Sequence, residues 1–402
     1  MHRVYRRRAS GSGAGAMMDH VKLAVVGAVL LLLGAAAVGV GAVPMSDVLA
    51  AGARVWPVLL FVVSATIVAE LAATAGVFDV AASLLARIAR GRTWMLWAAV
   101  VALAAVTTAF LSLDTTAVLL TPVVVAVARS HGLPPLPFAF TTVWLANTAS
   151  LVLPVSNLTN LLAVARLDRS DAAGFVALLG GSAAVAILVS TLILALVFRR
   201  ALRGSFVPAP PPAIADRLQL RFAATVVVVM MPLLVSGLEP WMPATAAALV
   251  LVAFFAWRSP DILRLRLVPW SLLVFASGLF LAVAVAERLG FREALVAVMG
   301  EGTGPGDLWR LAGAGALAAN VGNNLPAYLA LESAAGTPER LAALLIGVNA
   351  GPLITPWASL ATLLWHQRLK AVGIEVPWTR YALLGALAAP LTVFAAVVPL
   401  AL

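Results

Sequence analysis

Residues 147–162 read Asn147-Thr-Ala-Ser-Leu-Val-Leu-Pro-Val-Ser-Asn-Leu-Thr-Asn-Leu-Leu162, and residues 349–364 read Asn349-Ala-Gly-Pro-Leu-Ile-Thr-Pro-Trp-Ala-Ser-Leu-Ala-Thr-Leu-Leu364. At a constant offset of 202 positions Asn147 falls on Asn349, Pro154 on Pro356, Asn157 on Ser359 and Asn160 on Thr362. Each stretch is a polar, proline-interrupted patch inside an apolar run. Each also follows an earlier polar patch, Leu113-Asp-Thr-Thr116 in the first half and Val321-Gly-Asn-Asn-Leu-Pro326 in the second. Matched interruptions in two halves of a hydrophobic chain predict inverted repeats whose broken helices build a site at the bilayer midplane, the plan of a secondary transporter.

Composition supports that reading. The chain of 402 residues is 62% hydrophobic and 11% charged, with a mean hydropathy of +1.03. A soluble protein could not hide so much apolar surface, whereas a multi-pass membrane protein turns it to lipid. The net charge of +10 would suggest nucleic acid in a soluble domain, but here the arginines fall in short loops between apolar runs. There are no cysteines, which excludes disulfides, thiolate metal ligands and thiolate nucleophiles.

Apolar runs predict crossings near 23–43, 56–76, 138–164, 173–198, 221–237, 241–257, 269–286, 340–365 and 380–401. Runs 94–129 and 307–335 hold polar patches at their centres and read as re-entrant helical hairpins. The fold class is therefore an all-α polytopic membrane protein of inverted repeats, with two re-entrant hairpins and two broken transmembrane helices. Its parts are a basic cytoplasmic tail (1–22), a first repeat (23–198), a cytoplasmic linker and linking span (199–240) and a second repeat (241–402). With the N-terminus inside, 20 of the 27 basic residues lie on the cytoplasmic side. The hairpins then enter from opposite faces.

Irregular backbone at membrane depth must be buried in protein or line a wet cavity, because free N–H and C=O groups cannot face lipid. Asp114, Thr115 or Thr116 is expected to cap the second arm of the first hairpin, and Asn323 or Asn324 that of the second. Thr355 before Pro356 reads as an N-cap with proline at the first helical position, and Ser156 or Asn157 as its counterpart after Pro154. Four helix N-termini would converge, each with free N–H groups and partial positive charge, on a small oxygen-rich solute or anion. The candidate binding set is Thr115, Thr116, Ser156, Asn157, Thr159, Asn160, Asn323, Asn324, Asn349, Thr355 and Ser359. The bland alternative, caps and helix–helix glue, fits one such patch better than four paired ones. Asp114 is a carboxylate at membrane depth and so a candidate proton carrier; Glu70 is the next candidate. Glu332 and Glu287 are expected near the outer boundary. No metal or nucleophile constellation argues for an enzyme, and no cofactor is implied.

The segments Asp114-Thr-Thr-Ala-Val-Leu-Leu-Thr-Pro122, Val155-Ser-Asn-Leu-Thr-Asn160, Asn323-Asn-Leu-Pro326 and Leu353-Ile-Thr-Pro-Trp-Ala-Ser-Leu-Ala-Thr-Leu-Leu-Trp365 resemble signatures of ArsB-type arsenite efflux permeases of the ion transporter superfamily. The resemblance runs over nearly the whole chain from about residue 25. It implies export of arsenite or antimonite through a bacterial plasma membrane, by exchange for protons or with a partner ATPase, with a homodimer left open. It also implies that Asp114, Ser156-Asn157 and Asn323-Asn324 are the matching motif positions. The chain departs from the family pattern at Leu113, Thr115, Asn349 and Leu353. The alternative of the same architecture is a Na⁺- or H⁺-coupled carboxylate or anion transporter, or a Na⁺/H⁺ antiporter.

Overall fold

A computed structural model describes residues 24–41, 43–167, 171–207, 214–288 and 298–402. The basic tail 1–22, the proline-rich part of the linker (Pro208–Pro212), Arg169 and Arg292 lie outside the described residues, as does the Glu287 side chain. Among the described residues there are helices and no named strands.

The first half holds α1 (Ala24–Gly39), α2 (Met45–Thr74), α3 (Val77–Ile88), α4 (Thr93–Leu111), α5 (Leu113–Ser130), α6 (Leu136–Thr148), α7 (Leu158–Val164) and α8 (Ala172–Val197). After α9 (Arg217–Leu233) come α10 (Trp241–Arg258), α11 (Trp270–Arg288), α12 (Pro305–Gly322), α13 (Asn324–Leu331), α14 (Pro338–Ala350), α15 (Leu360–Ala371) and α16 (Trp378–Ala401). Six of these, α2, α4, α5, α8, α10 and α16, are long and apolar enough to cross a membrane. The protein is a multi-pass membrane protein. The expected runs 138–164 and 340–365 are indeed interrupted: α6 gives way to α7 across residues 149–157, and α14 to α15 across residues 351–359. The amphipathic α3, with Arg87 in its last turn, replaces what reads in sequence as a basic loop.

Local chemistry sets the helix ends. Asp171 Oδ1 accepts the Gly174 N–H at 2.7 Å and starts α8. Asp216 Oδ1 accepts from Leu218 and Gln219 N–H at 2.9 and 3.1 Å to start α9, while its other oxygen takes Arg258 Nε at 2.8 Å. In the interior, Trp365 Nε1 donates to the Ala139 carbonyl at 2.8 Å, and its ring lies 5.5 Å from that of Phe140. This contact pins α15 to α6. Arg340 is only 1% exposed; its guanidinium donates to the carbonyls of Gly300, Gly302 and Ala334 at 2.7–3.1 Å, fixing the chain on either side of α12–α13.

Small residues let α12 and α14 approach to backbone contact, as membrane bundles require in place of a hydrophobic driving force. A Cβ on Gly347 would strike the Ala312 backbone, and one on Gly351 would strike Ala316. Gly313, one position on from Ala312, is exposed with nothing near it. Gly347→Leu is therefore expected to lower the melting temperature in detergent sharply or abolish folded yield. Gly313→Leu should leave both near wild type in the same thermal-shift measurement.

Candidate functional site

Both hairpins turn on one strained residue. Ser112 (φ 93°, ψ 159°) separates α4 from α5, and Asn323 (φ 104°, ψ 151°) separates α12 from α13. Only three described non-glycine residues have left-handed φ, and these are two of them. Such a conformation costs about 1–3 kcal/mol in a non-glycine residue and tends to be kept where function needs it. Each residue caps the arm that follows: Ser112 Oγ accepts the Thr115 N–H at 3.4 Å, and Asn323 Oδ1 accepts the Leu325 N–H at 3.3 Å. The first-hairpin cap is thus Ser112, not Asp114, Thr115 or Thr116. Thr115 and Thr116 turn inward, to the Leu111 carbonyl at 2.6 Å and to Thr108 Oγ1 at 2.8 Å, and a π-helical turn follows at Thr116–Leu120.

The broken helices match as well. Asn157 (φ −150°, ψ 146°) precedes α7, and Ser359 (φ −142°, ψ 137°) precedes α15, both in extended backbone. The second helix therefore starts four residues later than the Thr355-Pro356 reading expects. Thr355 serves Asn320 instead: its N–H donates to Asn320 Oδ1 at 3.1 Å and its hydroxyl to the Asn320 carbonyl at 2.7 Å. Asn320 also donates to the Gly351 carbonyl at 2.8 Å, and Trp357 Nε1 donates to the Asn320 carbonyl at 2.8 Å. This residue holds the second break together, and the sequence reading passes over it. Its signal was a third asparagine one turn before the Asn323-Asn324 pair.

Between the halves lies a buried amide knot. Asn157 Nδ2 and Thr159 Oγ1 donate to Asn349 Oδ1 at 2.8 and 2.9 Å, and Asn349 Nδ2 donates to Asn160 Oδ1 at 2.6 Å. Asn160 Nδ2 reaches the carbonyls of Ser150 and Leu153 at 2.6 and 3.1 Å, and Ser156 Oγ donates to the same two carbonyls.

Four breaks meet around one cavity of about 360 Å³. Ser112, Leu113 and Asp114 come from the first hairpin, and Gly322, Asn323, Asn324 and Leu325 from the second. Asn157 and Leu158 come from the first broken helix, and Trp357, Ser359 and Leu360 from the second. Phe61, Ala65 and Thr66 of α2 close one wall, with Leu272 and Phe275 of α11 beside them. No Arg or Lys among the described residues lines this cavity, and Asp114 is its one carboxylate among them. Among the described residues, none donates a hydrogen bond to Asp114.

Of the residues expected to bind, Asn157, Asn323, Asn324 and Ser359 line the cavity, as does Asp114, the candidate proton carrier. Thr115, Thr116, Ser156, Thr159, Asn160, Asn349 and Thr355 stand behind it in the hydrogen bonds just described. Glu70 lies on α2 away from the cavity. Glu332 is 2% exposed: it pairs with Arg54 and with Arg166 at 3.1 Å and accepts the Tyr328 hydroxyl at 2.6 Å. This cluster ties the end of α13 to α2 and to the end of α7.

A polytopic helical protein whose helix breaks meet around one cavity has the architecture of a membrane transporter. Comparison with known proteins agrees. A family model described as "Citrate transporter" (CitMHS) matches residues 16–362. A protein of Yersinia enterocolitica called arsenical pump membrane protein is 31% identical over 369 residues, covering 85% of each chain. One of the same name from Escherichia coli strain K12 is 31% identical over 388 residues, 89% of this chain and 87% of its own. The crystal structure of the Alcanivorax borkumensis YdaH transporter shares the fold with a TM-score of 0.60 at 16% identity, over 95% of this chain and 97% of that one. The chain belongs to the ArsB-type permeases within the citrate transporter family.

Asn349→Ala would leave the buried polar groups of Asn157, Thr159 and Asn160 without their shared partner, a loss of about 1–3 kcal/mol. The expected outcome is a melting temperature well below wild type in detergent, measured by thermal shift.

Proposed function

We propose that this protein exports arsenite and antimonite across a bacterial plasma membrane by alternating access, in exchange for protons, with its N-terminus in the cytoplasm and its halves forming inverted repeats. The observation that carries the reading is a largely apolar cavity at the helix breaks whose polar side chains are amides and hydroxyls beside one carboxylate, taken with relatives called arsenical pump membrane protein. Arsenous acid is neutral at pH 7 and presents hydroxyl groups like a small polyol. Amide and hydroxyl side chains and helix N-termini can hold such a solute without cationic or thiolate partners.

The family description favours a second reading, a carboxylate carrier. Against it stands the same lining: a di- or tricarboxylate would enter a cavity that, among the described residues, has no Arg or Lys and one carboxylate. Like charges in a low-dielectric space repel. A neutral cargo avoids that cost.

A neutral solute does not feel the membrane potential, so uphill export needs a coupled charge. Asp114, the cavity's carboxylate, supplies it by taking a proton at the outer face and releasing it inside. Across 100 mV one proton brings ~2.3 kcal/mol, enough for a gradient of roughly 50-fold if fully used. Sharing a cavity makes proton and cargo compete for one environment, which is how exchange arises.

Asp114→Asn imitates the protonated form. In energised everted vesicles this variant is expected to retain downhill arsenite exchange and to lose gradient-driven accumulation. Accumulation that persists and stays pH-sensitive would move the carrier elsewhere, Glu70 first. Citrate uptake by wild-type vesicles that take up no arsenite would decide for the carboxylate reading.

A further inference from the structure

The two halves match in sequence and backbone around their breaks, yet their hydrogen bonding differs. In the first break, Asn157 caps α7 through the Thr159 N–H at 3.4 Å and gives its amide to Asn349. The pole is closed by the protein itself. The 202-residue offset makes Ser359 the counterpart of Asn157, and Asn147 the counterpart of Asn349. The helices pack correspondingly, α6 on α15 and α14 on α7.

No such closure occurs in the second break. Ser359 is fully buried and lines the cavity, and its hydroxyl has no hydrogen-bond partner. No side chain caps α15, a helix of 12 residues. Asn147 spends its Nδ2 on the Val143 carbonyl at 2.9 Å, and its Oδ1 is buried with no partner. The positions matching Thr159 and Asn160 offer no substitute, because Ala361 has no polar group and the Thr362 hydroxyl bonds Tyr381 at 3.3 Å. A buried polar atom left unpaired costs about 1–3 kcal/mol. The Ser359 hydroxyl opens on the cavity, and it marks where an outside partner completes the bonding.

We propose that Ser359 and the uncapped first turn of α15 are the primary recognition point for a hydroxyl group of the cargo, and that Asn157, its counterpart, is a lock between the halves. The inference rests on the neutral, hydroxyl-bearing cargo proposed above. Cargo therefore binds off centre, on the second-half pole. The Ser359 hydroxyl and the free N–H groups of α15 exchange hydrogen bonds with one arsenic-bound hydroxyl. Serine in place of asparagine matters by size: the shorter side chain makes no bond to Asn147, and the pole stays open.

Three variants of the full chain in everted vesicles, assayed with arsenite, test this. Ser359→Ala is expected to raise KM for arsenite about 5- to 10-fold with Vmax retained and the melting temperature unchanged, the loss of one hydrogen bond. Ser359→Asn restores the residue of the first break and should pair with Asn147. It is expected to raise the melting temperature while transport falls below a tenth of wild type. Adding Asn147→Ala to Ser359→Asn should remove that thermal gain. A Ser359→Ala KM within twofold of wild type, or Ser359→Asn transport at the wild-type KM, would overturn the assignment. Wild-type vesicles that take up neither arsenite nor antimonite would overturn the cargo reading instead, and with it this proposal.

Discussion

A peptide group that leaves the helix inside a membrane has no water to turn to, and the rest of this structure follows from how four such interruptions are satisfied. The two strained turns, Ser112 and Asn323, cap their own following helices. The two extended breaks cannot do so alone. Asn320 supports the second from within its own half, bonding Gly351, Ile354 and Thr355. Asn349 supports the first from the opposite half, through Asn157, Thr159 and Asn160. The breaks are thereby locked to each other, and the cavity between them is what remains.

The cavity wall is mainly apolar, its polar side chains come mostly from the helix ends, and Asp114 is its one charged group among the described residues. Those polar side chains are largely the amides and hydroxyls at the breaks, so groups that satisfy the backbone also face the cavity. Charges sit elsewhere. Glu332 with Arg54 and Arg166 forms a buried cluster at the ends of α13 and α7, and Asp47 meets Arg288 where α2 faces α11. The Glu332 cluster, whose carboxylate is buried, fixes geometry more than it adds stability.

The breaks and their pairing are legible in the sequence because proline, asparagine and serine inside apolar runs have few other uses. The exact caps are less so. Thr355-Pro356 carries the usual N-terminal signature, but Asn320 takes the threonine from another helix, and tertiary contact overrides local preference. Ser112 hides beside Asp114, whose charge draws the eye, although only the serine adopts the left-handed turn. Asn349 is legible as polar and matched, but its three bonds to the other half depend on how distant helices pack. The buried Arg340 and Glu332 read as boundary residues from hydropathy, since only the fold shows what encloses them.

The account depends on the first-half break abutting the second half at Asn349. The chain has no native cysteine, so a single introduced pair reports on this contact without background. Thr159→Cys combined with Asn349→Cys replaces two side chains whose polar atoms lie 2.9 Å apart. Oxidation in native membranes is predicted to give an intramolecular disulfide in high yield, detectable by mass spectrometry, while Thr159→Cys paired with a cysteine at the exposed Leu383 gives none. Absence of the first crosslink, or equal yield from the control pair, would contradict the placement of the two halves on which the site rests.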